Sequence, residues 1–285
     1  MIYEKYRELT IDLFSIKYRK IKLRKIISYP PAGNDVVEAI ATINNKDQNV
    51  FIKFERSKMA NFETEYKHLN LLKDIKLFPK VIEFGSTNSK NYIVLEKILG
   101  DRLSDIFKKN KDDKDRYLKE YGKCLSQIHS IKNKNFDYAF QRPINDIPKG
   151  YSNSDEFSNN MINYLKESNF EKNNNTFIHG DFHYANVLFK DKKLTGVLDL
   201  EYSGYGFKEQ DIAWSCILRP NQEFMDNLDD ISCFLEGYKC KNNFDYDKFK
   251  WCYINGSMHF YLMNYENEEY KEKLKKLIKE IMKSR

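Results

Sequence analysis

The run from Thr176 to Glu201, TFIHGDFHYANVLFKDKKLTGVLDLE, constrains this chain more than any other. It opens on an apolar entry (Phe177, Ile178), passes through a polar loop, and continues as a predicted strand over Val187 to Phe189. A turn at Asp191-Lys192-Lys193 leads to a second predicted strand, Leu194 to Leu200. Two apolar runs joined by a short polar turn specify a hairpin. Polar residues stand at both ends of it: His179, Asp181 and Asn186 on the loop before the first strand, and Asp199 and Glu201 on and just after the second.

Those residue types suit phosphoryl transfer. The reaction needs a carboxylate to orient and deprotonate a hydroxyl, and oxygen ligands for Mg²⁺ bridging the phosphates. Asp181 is the candidate for the first task. Asn186 and Asp199 are candidates for the second, since Mg²⁺ takes a carboxylate or two and keeps water for the rest. The spacing His-x-Asp-x4-Asn is the one used by protein-kinase catalytic loops.

At these residues the chain resembles the aminoglycoside phosphotransferase and choline kinase-like family, whose mark is His-Gly-Asp-x4-Asn followed by an apolar strand ending in Asp-x-Glu. Here the two read HGDFHYAN and VLDLE. The resemblance runs over about residues 20–265. It implies an α+β, protein-kinase-like two-lobed fold, with an antiparallel-sheet N-lobe over 1–97 and a mostly helical C-lobe over 98–285. It further implies that His179 holds the loop and that Glu201 supports it.

The N-terminal third fits that expectation. A leading helix is predicted over 3–16, then strands over Lys22 to Ser28, Val36 to Ile43 and Val50 to Phe54, separated by turns at 30–35 and 44–47. The first turn has a single glycine and is no Gly-x-Gly-x-x-Gly loop. Lys53 interrupts an apolar strand, so its ammonium needs an anionic partner. The helix expected over Ser57 to Leu72 offers Glu65, with Glu63 as the alternative and with Tyr66, Leu69 and Leu72 as its core stripe. The resemblance assigns Lys53 to the α- and β-phosphates, oriented by Glu65. It places the adenine ring against the Glu96 carbonyl and the Ile98 amide, in the link between the lobes. An edge-strand lysine and a solvated glutamate are the plainer alternatives.

In the larger lobe a long helix is expected over 112–131, with Tyr117, Tyr121, Leu125 and Ile128 along one side and a structural His129 at its end. A further helix is expected around Phe157 to Lys166. Asp211, opening DIAWSCIL, is read as a helix cap that braces the catalytic loop. Three late helices are expected over about 222–239, 246–264 and 266–283, the second of them aromatic and packed in the core.

Composition narrows the partners. No apolar run approaches a membrane span, and the N-terminus lacks the pattern of a signal peptide. Five scattered cysteines without a Cys-x-x-Cys pair suit a reducing, cytoplasmic setting. Residues 1–95 hold 17 bases against 11 acids, residues 96–270 hold 24 against 29, and residues 271–285 hold 7 against 2. Basic charge in the predicted nucleotide lobe and an acidic remainder argue against a nucleic-acid partner. They favour a small hydroxyl acceptor that is cationic rather than anionic, with Asp229, Asp230, Glu236, Trp251 and Tyr253 as possible contacts. The expected donor is ATP, with GTP open, and Mg²⁺ is the expected cofactor. A nucleotide-binding pseudoenzyme and a protein kinase are the rival readings, the latter disfavoured by the short segment between Asp199 and Asp211.

Overall fold

The computed structural model describes residues 12–30, 32–56, 61–87, 90–150, 155–168, 170–264 and 266–284. Most of the helix expected over 3–16 lies outside the described residues; the described part of that segment holds a 3-10 turn at Leu13–Ser15. The chain divides into two compact units, Met1–Gly100 with Thr195–Tyr202, and Asp101–Leu194 with Ser203–Arg285.

The first unit is built on β1 (Lys22–Ser28), β2 (Asp35–Ile43), β3 (Lys46–Phe54), α1 (Phe62–Leu71), β4 (Val81–Ser86) and β5 (Asn91–Glu96). The five strands form one antiparallel sheet in the order β1-β2-β3-β5-β4. Asn44 and Asn45 both adopt left-handed backbone (φ 49° and 64°), and Ile43 pairs with Lys46. Such a two-residue turn matches the strands' right-handed twist. It lets β3 start at Lys46, four residues before the apolar run that announces it. Alternation then sorts the side chains. Val37, Ala39 and Ala41 of β2 and Val50, Ile52 and Phe54 of β3 are fully buried, which sends Lys53 to the other face of β3. Glu83 on β4 is also buried. It accepts the Arg19 and Lys20 amides and the Tyr92 hydroxyl at 2.6–3.0 Å, tying the entering chain to the sheet.

Asn61 caps α1 by accepting the Thr64 amide at 3.0 Å. The buried stripe of this helix is Phe62, Glu65, His68 and Leu69. Tyr66 departs from the expected stripe: it is exposed and stacks on Phe84 at 4.8 Å.

The second unit is mostly helical. It begins with β6 (Asp101–Arg102) and α2 (Leu103–Lys109), then α3 (Lys114–His129), α4 (Glu156–Glu167), β7 (Thr176–Ile178) and β8 (Val187–Lys190). The boundary between the units falls within β9 (Lys193–Val197). Then come β10 (Gly204–Gly206), α5 (Lys208–Cys216), α6 (Leu228–Lys239), α7 (Tyr246–Met263) and α8 (Glu268–Lys283). Tyr117, Tyr121, Leu125 and Ile128 line the buried side of α3, as their spacing requires. Helices α3 and α6 meet at glycines. A Cβ at Gly122 would stand 2.0 Å from the Phe234 carbonyl oxygen, and one at Gly237 2.0 Å from that of Lys119.

Helix α6 starts six residues later than the sequence suggests. Left-handed Asn221 and Met225 (φ 62° and 57°) keep the chain out of helix, and Asn227 then caps α6 by accepting the Asp230 amide at 2.9 Å. In α7 Trp251, Tyr253 and Tyr261 are all buried, so the aromatic run is core. Among the described residues no helix is long and apolar enough to cross a membrane.

Candidate active site

The first unit gathers Lys53, Glu65 and Asp199. Lys53, 7% exposed, donates to Glu65 at 2.6 Å and to Asp199 at 2.5 Å. Glu65 is fully buried while Glu63 is exposed, which decides between the two candidates on α1. Asp199 is not on a strand. The second strand of the hairpin ends at Val197, three residues early, and Asp199 is left-handed at φ 73°. That conformation is uncommon outside glycine and recurs at functional positions. Glu201 is buried nearby and accepts from the Asn34 side chain at 3.0 Å.

One ammonium thus serves three carboxylates. Burial tends to lower the Lys53 pKa, but Asp199, Glu65 and Glu201 outweigh it and hold the ammonium charged. Burial raises the Glu65 carboxyl, against the pull of Lys53. Burial, then Asp199, pushes Glu201 up to about 8. The cluster sets three carboxyl groups against one ammonium, and its donors are hard oxygens. Both features fit Mg²⁺.

Glu96 ends β5 opposite Val50, with its amide on the Lys80 carbonyl at 2.9 Å and its side chain exposed. Ile98 follows in irregular chain and covers Gly196, where a Cβ would come within 2.8 Å of Ile98.

The second unit gathers Asp181 and Asn186 on the loop between β7 and β8. Asp211 anchors that loop: one carboxylate oxygen accepts the His179 amide at 2.8 Å, and the other accepts the Gly180 amide at 3.0 Å. His129 Nε2 stands 3.1 Å from the same carboxylate, and its Nδ1 lies 2.7 Å from the Tyr238 hydroxyl. Asp211 sits inside α5, which begins at Lys208, so it braces the loop without capping the helix. Tyr121 stacks on Phe182 at 4.8 Å and donates to its carbonyl, fixing the residue after Asp181. The Asp181 amide donates to His179 Nδ1 at 3.2 Å, and the Asn186 side-chain nitrogen donates to the Asp181 carbonyl at 3.1 Å.

Three residues around the Asp181 carboxylate carry no sequence signal. Arg142 donates to its Oδ1 at 3.0 Å, and Trp214 donates to the same oxygen at 2.8 Å. Arg219 acts on it through charge. Burial alone would raise the Asp181 pKa, but His183, Arg142, Arg219 and His179 bring it down to about 2. Arg142 sits in an unpatterned stretch, and Trp214 reads from sequence only as part of a helix start. Asn34, in the glycine-poor turn, is likewise found only by its contact to Glu201.

Residues 42–251 match the phosphotransferase enzyme family. The chain belongs to that family. It is therefore a small-molecule phosphotransferase, a transferase of the kinase type. A probable aminoglycoside 3'-phosphotransferase of Lactococcus lactis is 24% identical over 203 residues, covering 62% of this chain and 71% of the relative.

Solved structures share the fold at low identity. Spectinomycin phosphotransferase in complex with ADP and spectinomycin superposes with a TM-score of 0.54 at 17% identity, covering 91% of this chain and 90% of that one. A thermostable mutant of an aminoglycoside phosphotransferase, in ternary complex with ADP and hygromycin B, gives 0.62 at 12% identity, covering 91% and 94%. The choline kinase of Streptococcus pneumoniae gives 0.56 at 16% identity, covering 91% and 95%. The α+β, protein-kinase-like architecture read from the sequence is thus the architecture observed.

Proposed function

We propose that this phosphotransferase moves the γ-phosphoryl group of a nucleoside triphosphate, ATP or GTP, to a hydroxyl of a small molecule, with Asp181 as the base. The observation that carries the proposal is the fixed placement of the Asp181 carboxylate, which accepts from Arg142 and Trp214. Asp211 and Tyr121 fix its loop, and basic neighbours keep its carboxylate charged at neutral pH.

Lys53, oriented by Glu65, contacts the donor's phosphates, and the Glu96 carbonyl and Ile98 amide receive the adenine ring. Asp199 and Asn186 are each candidate oxygen donors for Mg²⁺. When bound, Mg²⁺ neutralises phosphate charge. The carboxyl groups gathered around Lys53 support that assignment.

The relatives named above include enzymes of spectinomycin, hygromycin B and choline, so a cationic hydroxyl compound is a first candidate acceptor. Of the three acids advanced for it from the sequence, two are engaged by lysines and Asp229 is exposed. Asp230 is buried and paired with Lys114 at 2.6 Å, and Glu236 is paired with Lys119 at 3.0 Å. Tyr253 is fully buried.

The test is nucleotide-diphosphate release by the full chain over a panel of hydroxyl compounds, with product mass as confirmation. A gain of one phosphoryl group on an acceptor supports the proposal. Nucleotide binding without transfer to any acceptor would instead make the protein a binding scaffold of the same fold.

A further inference from the structure

The two oxygens of the Asp181 carboxylate have unequal surroundings. Oδ1 accepts from Arg142 at 3.0 Å and from the Trp214 indole at 2.8 Å. The indole is itself held by charge on its ring, with Arg142 4.1 Å and Arg219 4.6 Å from its centre. Oδ2 takes neither bond. The group beside it is His183, whose Nε2 lies 3.6 Å away. Both side chains are partly open to solvent, at 19% for Asp181 and 22% for His183.

His183 stands on the same loop, two residues beyond Asp181, and the place of its proton follows from its contacts. The Ala185 amide donates to Nδ1 at 3.2 Å, as the side chain caps the short turn Tyr184–Asn186. A ring nitrogen that accepts carries no proton, so the ring's proton is on Nε2. Nε2–H and Oδ2 are therefore a donor and an acceptor across a gap. At 3.6 Å the gap is too wide for a direct hydrogen bond. One oxygen atom bridges such a gap, at about 2.8 Å from each side. A hydroxyl offers one proton and two lone pairs. Here the proton goes to Oδ2 and one lone pair to Nε2–H, and the second lone pair is left for phosphorus.

We infer that His183 is a further catalytic residue: its Nε2–H donates a hydrogen bond to the acceptor's hydroxyl oxygen, while Asp181 Oδ2 takes the hydroxyl proton. The inference rests on the phosphotransfer reading above and names the group that orients its nucleophile. In the transfer step the acceptor oxygen bonds to the γ-phosphorus as its proton passes to Oδ2. The bond from that phosphorus to the bridging β–γ oxygen breaks, and its electron pair stays on the nucleoside diphosphate. His183 keeps its own proton throughout. Oδ1, with two bonds already, is the fixed end of the carboxylate.

Two variants separate the donor from the cap. His183→Asn keeps a side-chain acceptor for the Ala185 amide and is a good cap, but it is too short to reach the hydroxyl. His183→Gln carries an amide N–H about as far as Nε2 and gives up the cap. The experiment uses the full chain with Mg²⁺ and ATP or GTP, and kanamycin, hygromycin B, choline, ethanolamine, glucose and ribose as acceptor probes, with product read by mass spectrometry. Slow nucleotide hydrolysis without acceptor, in which water bridges the gap, is the second readout. Nucleotide Kd and Tm are measured alongside.

The expected result is a drop of about tenfold in His183→Asn, both in kcat/KM for the best acceptor and in hydrolysis, with nucleotide Kd unchanged. His183→Gln should stay within about threefold of wild type. A ring that only caps the turn gives the reverse order, with His183→Asn at the wild-type rate and His183→Gln impaired and lower in Tm. That reverse order, or equal rates in the two variants, overturns the inference and leaves phosphotransfer intact. Absence of both transfer and hydrolysis in wild type, with nucleotide bound, overturns the phosphotransfer reading and this one with it.

Discussion

Replacing Lys53 by Met tests the charge cluster of the first unit directly. Lys53 is the ammonium between Glu65 and Asp199, and Glu65 has no exposure to water. Without Lys53, Glu65 must either stay ionised in a buried site or bind a proton. Proton uptake is the cheaper course, and against an unfolded-chain pKa near 4.3 it costs roughly 4 kcal/mol at pH 7 and about 1 kcal/mol at pH 5. The sign follows from a carboxylate whose folded pKa is raised: the penalty is absent below the unfolded value and grows as pH rises toward the folded one. A 285-residue chain has an unfolding entropy of about 0.6 kcal/mol per degree. The Tm deficit of Lys53→Met is then about 6 °C at pH 7 and under about 2 °C at pH 5. Lys53→Met/Glu65→Met, which removes both charges and keeps side-chain volume, should recover most of the loss at pH 7. The assay is thermal unfolding followed by circular dichroism across pH 5 to 8. A Lys53→Met Tm equal to wild type at pH 7, or a deficit independent of pH, refutes the reasoning.

Glu201→Gln imitates the protonated form of a carboxyl raised to about 8. Wild type should lose stability as pH rises from the unfolded value near 4.3 toward 8, so the variant melts within about 2 °C of wild type at pH 5 and roughly 8 °C above it at pH 9. Asp199→Ala should weaken binding of Mg²⁺-nucleotide far more than of metal-free nucleotide in paired calorimetric titrations, and equal losses would move the metal site elsewhere. Gly237→Ala drives a methyl into the Lys119 carbonyl and should cost about 1–3 kcal/mol or more, read as a Tm drop of at least roughly 2 °C.

The sequence announces the elements whose pattern is local. Strands β1 and β2, helices α3, α4, α7 and α8, and the HGD loop fall within a few residues of where alternation, helical spacing and motif put them. It misplaces ends that left-handed residues decide, since Met225 and Asp199 break an apolar pattern by φ alone. Of the site, Lys53, Glu65 and Asp199 are legible because an apolar strand with a lone lysine demands acids, and the structure brings these three together. Asp181 and Asn186 are legible from their spacing and share one loop. Arg142 and Trp214 are not legible. They reach Asp181 through packing across 39 and 33 residues of sequence. The acidic balance of residues 96–270 does not by itself locate an acceptor site, because Asp230 and Glu236 answer to lysines on α3.

Transfer itself is tested most directly by following one phosphoryl group from nucleotide to acceptor in wild type and in Asp181→Asn. The variant keeps the shape of the side chain and removes its charge and basic oxygen. With nucleotide affinity measured alongside, the account predicts phosphorylated product from wild type, and a loss of at least about 10²-fold in kcat with little change in nucleotide Kd for the variant. Product formed by Asp181→Asn at the wild-type rate would contradict it.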